Sequence, residues 1–361
     1  MLSVLSGTMS PRARRSLKGA TAVVTLLLLM HLAIRLVDFA NLFGFFRRHS
    51  GITITQREIL DTYASQQTGA NNTSALSAVV PRILHQVFHD WNNPESDNPT
   101  LPDDWEAARQ TCIGHNPDWE YHLWTSKSSR NFIEDNFPWF ISTYDGYKFP
   151  VQRVDVIRYF ALLHFGGIYI DLDNGCAESL DALTQYPAFT TDGGHGTLSN
   201  NIIGGQPGHP LFYLLTESLI PWNWNWILPY VIVSYTSGQW FVTAMWEKYH
   251  QLLSADGTVR GFDGTGWAPL HHILMDMRPG APDPYVLWTQ ERGGTWDQWD
   301  SAWFGWLGNH IGLVIAEVVG VVITAGLLLF ASVRLCCYCM KRSKEISGYT
   351  LIKAQDQNQV Y

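Results

Sequence analysis

Two apolar segments, one near each end of the chain, restrict what the residues between them can form. Residues 19–37 reach the roughly 20 residues that cross a bilayer, with Arg35 able to extend its charge to the headgroups. Residues 311–335 form a longer apolar run with two charged interruptions, Glu317 and Arg334. We therefore predict two transmembrane helices with a single folded region between them.

Flanking charges predict the orientation of both segments. Positive residues tend to stay on the cytoplasmic side of a membrane, and here they precede the first segment and follow the second. They are Arg12, Arg14, Arg15 and Lys18 on the amino-terminal side, and Lys341, Arg342 and Lys344 on the carboxyl-terminal side. Both termini are therefore predicted to be cytoplasmic and the region between lumenal. A cleaved signal peptide has the same plan, but the lack of a small-residue cleavage site favours an uncleaved anchor.

Polar composition separates a stem from the folded region. Residues 65–74 contain no large apolar side chain and cannot bury a core, and Asn71 and Asn72 begin overlapping glycosylation sequons. The predicted divisions are a cytoplasmic tail 1–18, an anchor 19–37, a stem 38–78, a folded domain 79–300, an interfacial aromatic segment 301–310, a transmembrane helix 311–335 and a cytoplasmic tail 336–361.

Charge and cysteine spacing argue against two kinds of partner. The formal charge is −8 without a long basic run in the middle of the chain, so no nucleic acid is expected to bind. The five cysteines lack zinc-site spacing. Cys112 and Cys176 are either a lumenal disulfide or two separate buried thiols, and Cys336, Cys337 and Cys339 are either palmitoylated or free.

Strand and helix patterns alternate through the central region. Residues 80–88 and 119–124 have strand patterns, residues 151–164 have helical spacing, and residues 168–170 form a short β-branched and aromatic strand. Gly166-Gly167 ends the helix, because glycine takes a left-handed conformation at little cost. This order predicts an α/β domain with a largely parallel sheet, which binds ligands beyond the carboxyl ends of its strands.

Two carboxylates lie where that sheet would bind a ligand. Asp171 and Asp173 follow the last strand, and residues two apart on a strand point to one face. Both can therefore reach one divalent cation, which prefers oxygen ligands and can neutralise a departing diphosphate. A lone Asp-x-Asp motif is weak evidence for a metal site, since any Asp-rich turn supplies one. On the preceding helix, Asp155 and Arg158 form either an ordinary salt bridge or, with Arg153, a group that faces a donor.

The central block resembles family 32 glycosyltransferases with a DxD sugar-binding region, and among them fungal mannosyltransferases that act on inositol phosphorylceramide. The resemblance extends over residues 80–300 or so. The residues that carry it are 81–86 (PRILHQ), Trp124-Thr125, 152–160 (QRVDVIRYF), 164–173 (HFGGIYIDLD), 199–201 (SNN), 207–210 (PGHP) and 293–296 (GGTW).

The resemblance implies a GT-A fold, Mn²⁺ or another divalent cation, GDP-mannose as donor, retention of anomeric configuration and a Golgi membrane location. It implies these roles: Asp171 and Asp173 at the metal, Asp155 and Arg158 at the donor sugar, Gln86 and Trp124 near the nucleotide, and Arg153 and Asn200 in the donor site. Two departures matter. Asn201 stands where relatives often have Asp, and Asp297 stands where they often have His.

Two tryptophan clusters have open interpretations. Trp296, Trp299, Trp303 and Trp306 recur at helical spacing and form either an interfacial helix that holds the site near a lipid or a simple aromatic belt. Trp222, Trp224 and Trp226 contact the acceptor or the membrane, or else pack within the domain.

Three functions follow for the chain. The leading prediction is mannose transfer to inositol phosphorylceramide, a membrane lipid acceptor. The alternatives are mannose transfer to glycoprotein glycans, and a non-catalytic membrane partner of an active homologue. A regulatory subunit or a second copy of the chain is a further possible partner.

Overall fold

The computed structural model describes residues 49–68, 78–96, 99–193, 196–225, 228–253, 268–275, 286–290, 293 and 299–310, with parts of 20–34 and 312–327. The chain divides into one compact unit that ends at Gln298 and a second that begins at Trp299.

The secondary structure of the first unit alternates between strands and helices. The strands are β1 (Ile52–Thr55), β2 (Ile83–Val87), β3 (Glu120–Trp124), β4 (Gly167–Ile170), β5 (Asn174–Cys176), β6 (Ala188–Asp192), β7 (Leu198–Gly205), β8 (His271–Leu274) and β9 (Trp288–Gln290). The helices are α1 (Gln56–Gln67), α2 (Asp103–His115), α3 (Ser126–Asn136), α4 (Ile141–Gly146), α5 (Pro150–Phe165), α6 (Pro210–Trp222), α7 (Pro229–Thr236) and α8 (Gln239–Leu252), with a 3₁₀ turn at Leu180–Leu183.

Seven strands form the main sheet in the order β1-β8-β6-β7-β4-β2-β3. Four of its six pairings are parallel, and β7 runs antiparallel to both of its neighbours, β4 and β6. The predicted α/β fold with a mostly parallel sheet is therefore confirmed. Because β7 is reversed, its first residues reach the same edge of the sheet as the last residues of β2 and β4.

Helix α5 is the central helix of the domain. Pro150 lies in its first turn, where a missing N–H costs nothing, and eleven of its sixteen residues are buried. The predicted helix end is confirmed, since Gly166 and Gly167 have φ of 67° and 96°. A Cβ on Gly167 would lie 2.5 Å from the Ile83 carbonyl oxygen, so the close approach of α5 and β4 to β2 requires glycine.

The predicted stem is wrong for residues 52–67. β1 pairs in parallel with β8, and α1 follows it after a Thr55–Glu58 capping box. The buried Gln56 side chain accepts from the Val286 and Leu287 amides at 3.0 and 2.8 Å. Strand β1 is a four-residue Ile-Thr-Ile-Thr segment whose strand partner β8 lies more than 200 residues away in the chain.

Gln56→Leu is expected to destabilise the protein. The leucine keeps the size of the side chain but leaves two amide donors unmet, and each costs about 1–3 kcal/mol when no water replaces the partner. Chemical denaturation of the full chain in detergent measures the loss. Gln67→Leu, on the exposed end of the same helix, is the control and should leave the unfolding midpoint unchanged. Equal midpoints for the two variants would contradict the role assigned to Gln56.

Cys112 in α2 and Cys176 in β5 form a disulfide with Cα atoms 4.6 Å apart. The sequence left open a disulfide or two separate buried thiols, and the structure contains the disulfide. The Thr111 hydroxyl also accepts from the Cys176 amide at 2.9 Å, so two successive residues of α2 hold Cys176 in β5.

The membrane spans remain predictions. No single described helix has both the length and the apolarity to cross a bilayer, although Ser301–Asn309 and Gly312–Val321, bent by 84°, satisfy both together. In the second unit, helix α9 (Ser301–Asn309) begins after Trp299, so the predicted tryptophan face is wrong in part. Trp303 and Trp306 are exposed on α9, and Trp296 lies outside the described residues.

Candidate functional site

A cavity of about 430 Å³ lies at the carboxyl ends of β2 and β4. Its first wall is the segment 87–92 after β2 together with the start of α2, and its second wall is α7 and the α7–α8 junction. The floor comes from α5, from the turn after β4 and from residues 199–201 of β7. The ends of these elements meet here because of the strand directions described above.

The turn after β4 directs the Asp171 side chain into the cavity. The Asp171 amide donates to the Asn201 carbonyl at 2.7 Å, and the Asp171 carbonyl accepts from the Asn174 amide at 2.9 Å. Arg158 Nη2 lies 2.9 Å from Asp171 Oδ1, which also accepts from the Tyr169 hydroxyl. These contacts hold one oxygen of Asp171, and its orientation is set before any ligand binds.

Asp155 is buried one turn before Arg158 on α5. Its Oδ1 accepts from Asn200 Nδ2 at 2.9 Å and lies 3.5 Å from Arg158 Nη1, and its Oδ2 accepts from the Ser237 hydroxyl at 2.8 Å. Asp155 and Arg158 both line the cavity. The structure thus combines the two sequence alternatives, because this ion pair is also part of the cavity wall.

Arg158 is the cation shared by the acidic groups. Besides Asp155 and Asp171, it donates to the Asn200 carbonyl at 2.9 Å and stacks over the Tyr169 ring with 4.8 Å to the centroid. Burial alone would lower its pKa, but the neighbouring Asp171 raises it, so the guanidinium stays charged.

The carboxylates carry more negative charge than Arg158 compensates. Burial raises the pKa of Asp155 and of Asp171 despite the nearby guanidinium. Burial, and then the charge of Asp171, raise the pKa of Asp173 to about 7. A divalent cation between Asp171 and Asp173 would relieve this repulsion.

The donor set fits a divalent cation that is completed by substrate oxygens. Among the residues described, no group of three His, Cys, Asp or Glu side chains surrounds a common point. Two carboxylates plus phosphate and water oxygens are a usual arrangement for a hard cation at a diphosphate. Asp297, which stands where relatives often have His, lies outside the described residues.

Three of the predicted donor residues do not line the cavity. Gln86 is buried in β2 and accepts from the Tyr121 hydroxyl at 3.0 Å. Trp124 donates to His85 Nδ1 at 3.2 Å and packs against Phe132. Arg153 is half-buried and donates to the Tyr147 carbonyl at 3.1 Å. Their contact with the nucleotide stays a prediction. Gln86 Nε2 is buried without a hydrogen-bond partner among the described residues.

The departure at Asn201 is part of the cavity floor. Its Oδ1 accepts from the Thr191 hydroxyl at 3.1 Å, and its Nδ2 lies 3.3 Å from Asn174 Oδ1. The amide therefore uses both its donor and its acceptor, which an aspartate could not do. Asn201 connects β6 to the turn that carries the two aspartates.

Several residues in or next to the cavity lie on segments without a sequence signal. Ser237, which contacts Asp155 from 82 residues along the chain, has nothing near it in sequence that indicates a site. Lining residues that sequence reasoning also missed include Phe88, Asp90, Trp91, Trp105, Tyr230, Ser234 and Gln239, whereas Gly293 belongs to a segment of the resemblance.

Gly293 approaches the second aspartate closely. A Cβ added there would lie 2.2 Å from Asp173 Oδ2, so one of the two groups must move. We expect Gly293→Ala to displace the Asp173 carboxylate and weaken Mn²⁺ binding by about tenfold, a free-energy change near 1.4 kcal/mol. Calorimetric titration with Mn²⁺ measures it. Gly146→Ala, where a Cβ meets nothing within 4 Å, is the control. An unchanged Mn²⁺ affinity in Gly293→Ala would show that Asp173 does not bind the cation.

The fold and the site together place an Asp-x-Asp pair beside the cavity, at the carboxyl edge of a mostly parallel sheet. Residues 102–190 match the family described as "Glycosyltransferase sugar-binding region containing DXD motif", which includes α5, β4 and both aspartates. The resemblance inferred from the sequence is confirmed.

Curated relatives agree with this class. The chain is 39% identical to inositol phosphoceramide mannosyltransferase 3 of Schizosaccharomyces pombe, over 65% of this chain and 60% of that protein. It is 37% identical to inositol phosphoceramide mannosyltransferase 2 of the same organism, over 66% of this chain and 64% of that protein. It is 32% identical to mannosyl phosphorylinositol ceramide synthase SUR1 of Saccharomyces cerevisiae, over 75% of this chain and 65% of that protein. The chain thus matches less than two thirds of each relative's length.

Among solved structures, the chain is similar to PaToxG Glycosyltransferase with a TM-score of 0.35 and 12% identity, over 55% of this chain and 78% of that chain. A likeness this loose does not define the fold, which rests on the strand order itself.

Proposed function

We propose that the protein transfers mannose from GDP-mannose to inositol phosphoceramide, with a divalent cation and with retention of configuration. The observation that carries the proposal is the pair Asp171 and Asp173 at the edge of the sheet, facing a cavity that also contains the Asp155–Arg158 pair. The names of the relatives at 32–39% identity support the donor sugar and the acceptor class.

In this proposal, Asp155, Arg158 and the pair Asp171 and Asp173 have three separate roles. Asp171 and Asp173 hold the cation, which supplies positive charge for the departing diphosphate. Arg158 positions Asp171 and adds a further charge near the phosphates. Asp155 accepts hydrogen bonds from the sugar hydroxyls through the lone pairs that Asn200 and Ser237 leave open.

The proposal also includes the identity of the cation, the fold type and the location of the catalytic domain. We propose Mn²⁺ as the cation, a GT-A-like fold, and a catalytic domain in the Golgi lumen between two spans. The Cys112–Cys176 disulfide supports the lumenal location, because such bonds persist in oxidising compartments. Under this proposal, a regulatory subunit or a second copy would bind outside the cavity.

The test is transfer by the purified full chain in nanodiscs. With GDP-mannose, Mn²⁺ and inositol phosphoceramide, we expect a mannosylated lipid by mass spectrometry and no product after EDTA. A glycoprotein glycan offered in parallel should remain unmodified. Product on the glycan and none on the lipid would overturn the acceptor, and GDP-mannose left intact in every reaction would indicate the non-catalytic partner.

A further inference from the structure

The amino-terminal helix carries apolar side chains that the rest of the protein does not cover. Between Val23 and Ile34 the described apolar side chains are 53–66% exposed. They surround the helix instead of forming one stripe, and Thr25 and His31 are the polar exceptions among the described residues. A helix that is apolar on all sides needs an apolar environment, which a bilayer would supply.

This helix contacts the loop that precedes α7. The His31 and Trp224 rings lie edge to face with 5.9 Å between centroids. Trp222 at the end of α6 stacks on Tyr235 of α7, at 4.7 Å and 28°, and this contact fixes the loop to α7. His31 lies in the predicted lumenal half of the span, six residues or about 9 Å before its end. A ring in contact with it would lie toward the lumenal interface, where tryptophan is enriched.

The same segment continues into the wall of the cavity. Tyr230, six residues after Trp224, lines the cavity together with Val233 and Ser234. An eight-residue helix such as α7 is about 12 Å long. The first two turns of α7 therefore line the cavity, and Tyr235 of the same helix packs on Trp222 beside the loop.

We propose that residues 222–225 and 228–230, the approach surface, guide a lipid acceptor from the bilayer to the cavity. The hydrocarbon chains stay in the membrane beside residues 23–34, and the headgroup passes Trp224 to reach the cavity at Tyr230. The inference rests on the proposed function, because it requires an acceptor that remains in the bilayer.

The chemistry of the approach surface fits a lipid interface. Its described residues carry no charge, so contact with the membrane removes no ion from water. Its tryptophan N–H and asparagine amide groups can donate to headgroup oxygens. A protein partner would have to displace lipid from the adjacent apolar helix, which favours the membrane as the occupant.

The first test separates lipid approach from chemistry in the full chain in nanodiscs. We expect Trp224→Ser to lower transfer to inositol phosphoceramide in the bilayer by at least about tenfold. GDP-mannose hydrolysis and transfer to water-soluble inositol 1-phosphate should change less than twofold. Trp139→Ser, which removes an exposed tryptophan (45%) that does not line the cavity, should leave all three rates unchanged. Equal losses in the three reactions of Trp224→Ser, or no loss in any, would overturn the proposal.

The second test locates Trp224 without using the acceptor. Trp224→Cys and Trp139→Cys are labelled with a nitrobenzoxadiazole probe after Cys336, Cys337 and Cys339 are changed to serine. We expect headgroup nitroxide lipids to quench the probe at position 224 and not at 139. Equal quenching at both positions, or none at 224, would overturn the proposal. Quenching at 224 with neither inositol compound mannosylated would uphold the membrane contact and reject the proposed acceptor.

Discussion

Asp173→Asn is expected to abolish cation-dependent transfer, by about 10³-fold, while leaving the melting temperature unchanged or higher. Among the described residues, no basic side chain forms an ion pair with Asp173, and burial raises its pKa to about 7. An acid with a raised folded-state pKa loses stability as pH rises between its unfolded and folded values. The neutral amide removes that loss, so the variant fails in catalysis and not in folding.

Asp171→Asn provides the contrast on the same turn. It should be equally inactive, but it removes the charge that Arg158 Nη2 contacts at 2.9 Å. We expect its free energy of unfolding to fall by about 1–3 kcal/mol, the cost of a poorly satisfied charged group. Asp118→Asn, an exposed aspartate, should match the parent in both assays. Retained transfer in Asp173→Asn, or a stability loss as large as that of Asp171→Asn, would contradict the assignment of Asp173 as a cation ligand.

Removing the disulfide is expected to produce the largest loss of stability. The bond closes a loop of 64 residues, for which the chain-entropy estimate is about 4 kcal/mol. Chemical denaturation of a Cys112→Ala/Cys176→Ala variant measures this loss. Activity should fall at elevated temperature as well, because β5 directly follows the turn that carries Asp173.

Reduction supplies the control for that variant. Dithiothreitol should lower the unfolding midpoint of the parent protein to that of the double variant and should leave the double variant unchanged. A parent midpoint that does not respond to the reductant would show that the bond contributes no stability.

Local patterns were sufficient for the segment that carries the aspartates. The spacing of apolar residues and the Gly166-Gly167 pair predicted α5, its end and β4, because all three depend on neighbours a few residues away. The same reasoning placed Asp171 and Asp173 together. They follow directly from a strand end, and no distant contact is needed to put them there.

Predictions that required knowledge of distant contacts were wrong or incomplete. β1 was assigned to a stem because the polar run 65–74 lies between it and the block that carries the resemblance, and its partner β8 lies more than 200 residues away. The sequence did not predict that Gln86 accepts from Tyr121 or that Trp124 donates to His85, and the assignment of both residues to the nucleotide stays a prediction.

The amino-acid sequence alone determined β2, β3, α5 and β4 in their order, the position of the Asp-x-Asp pair and the resemblance to glycosyltransferases with a DxD region, since these depend on local periodicity and on a continuous motif. The tertiary structure decided that Asn200 and Ser237 hold Asp155, that Cys112 is bonded to Cys176, and that Gly293 abuts Asp173. Such contacts join residues far apart in the chain, and their free energy is available only after the sheet has brought those residues together.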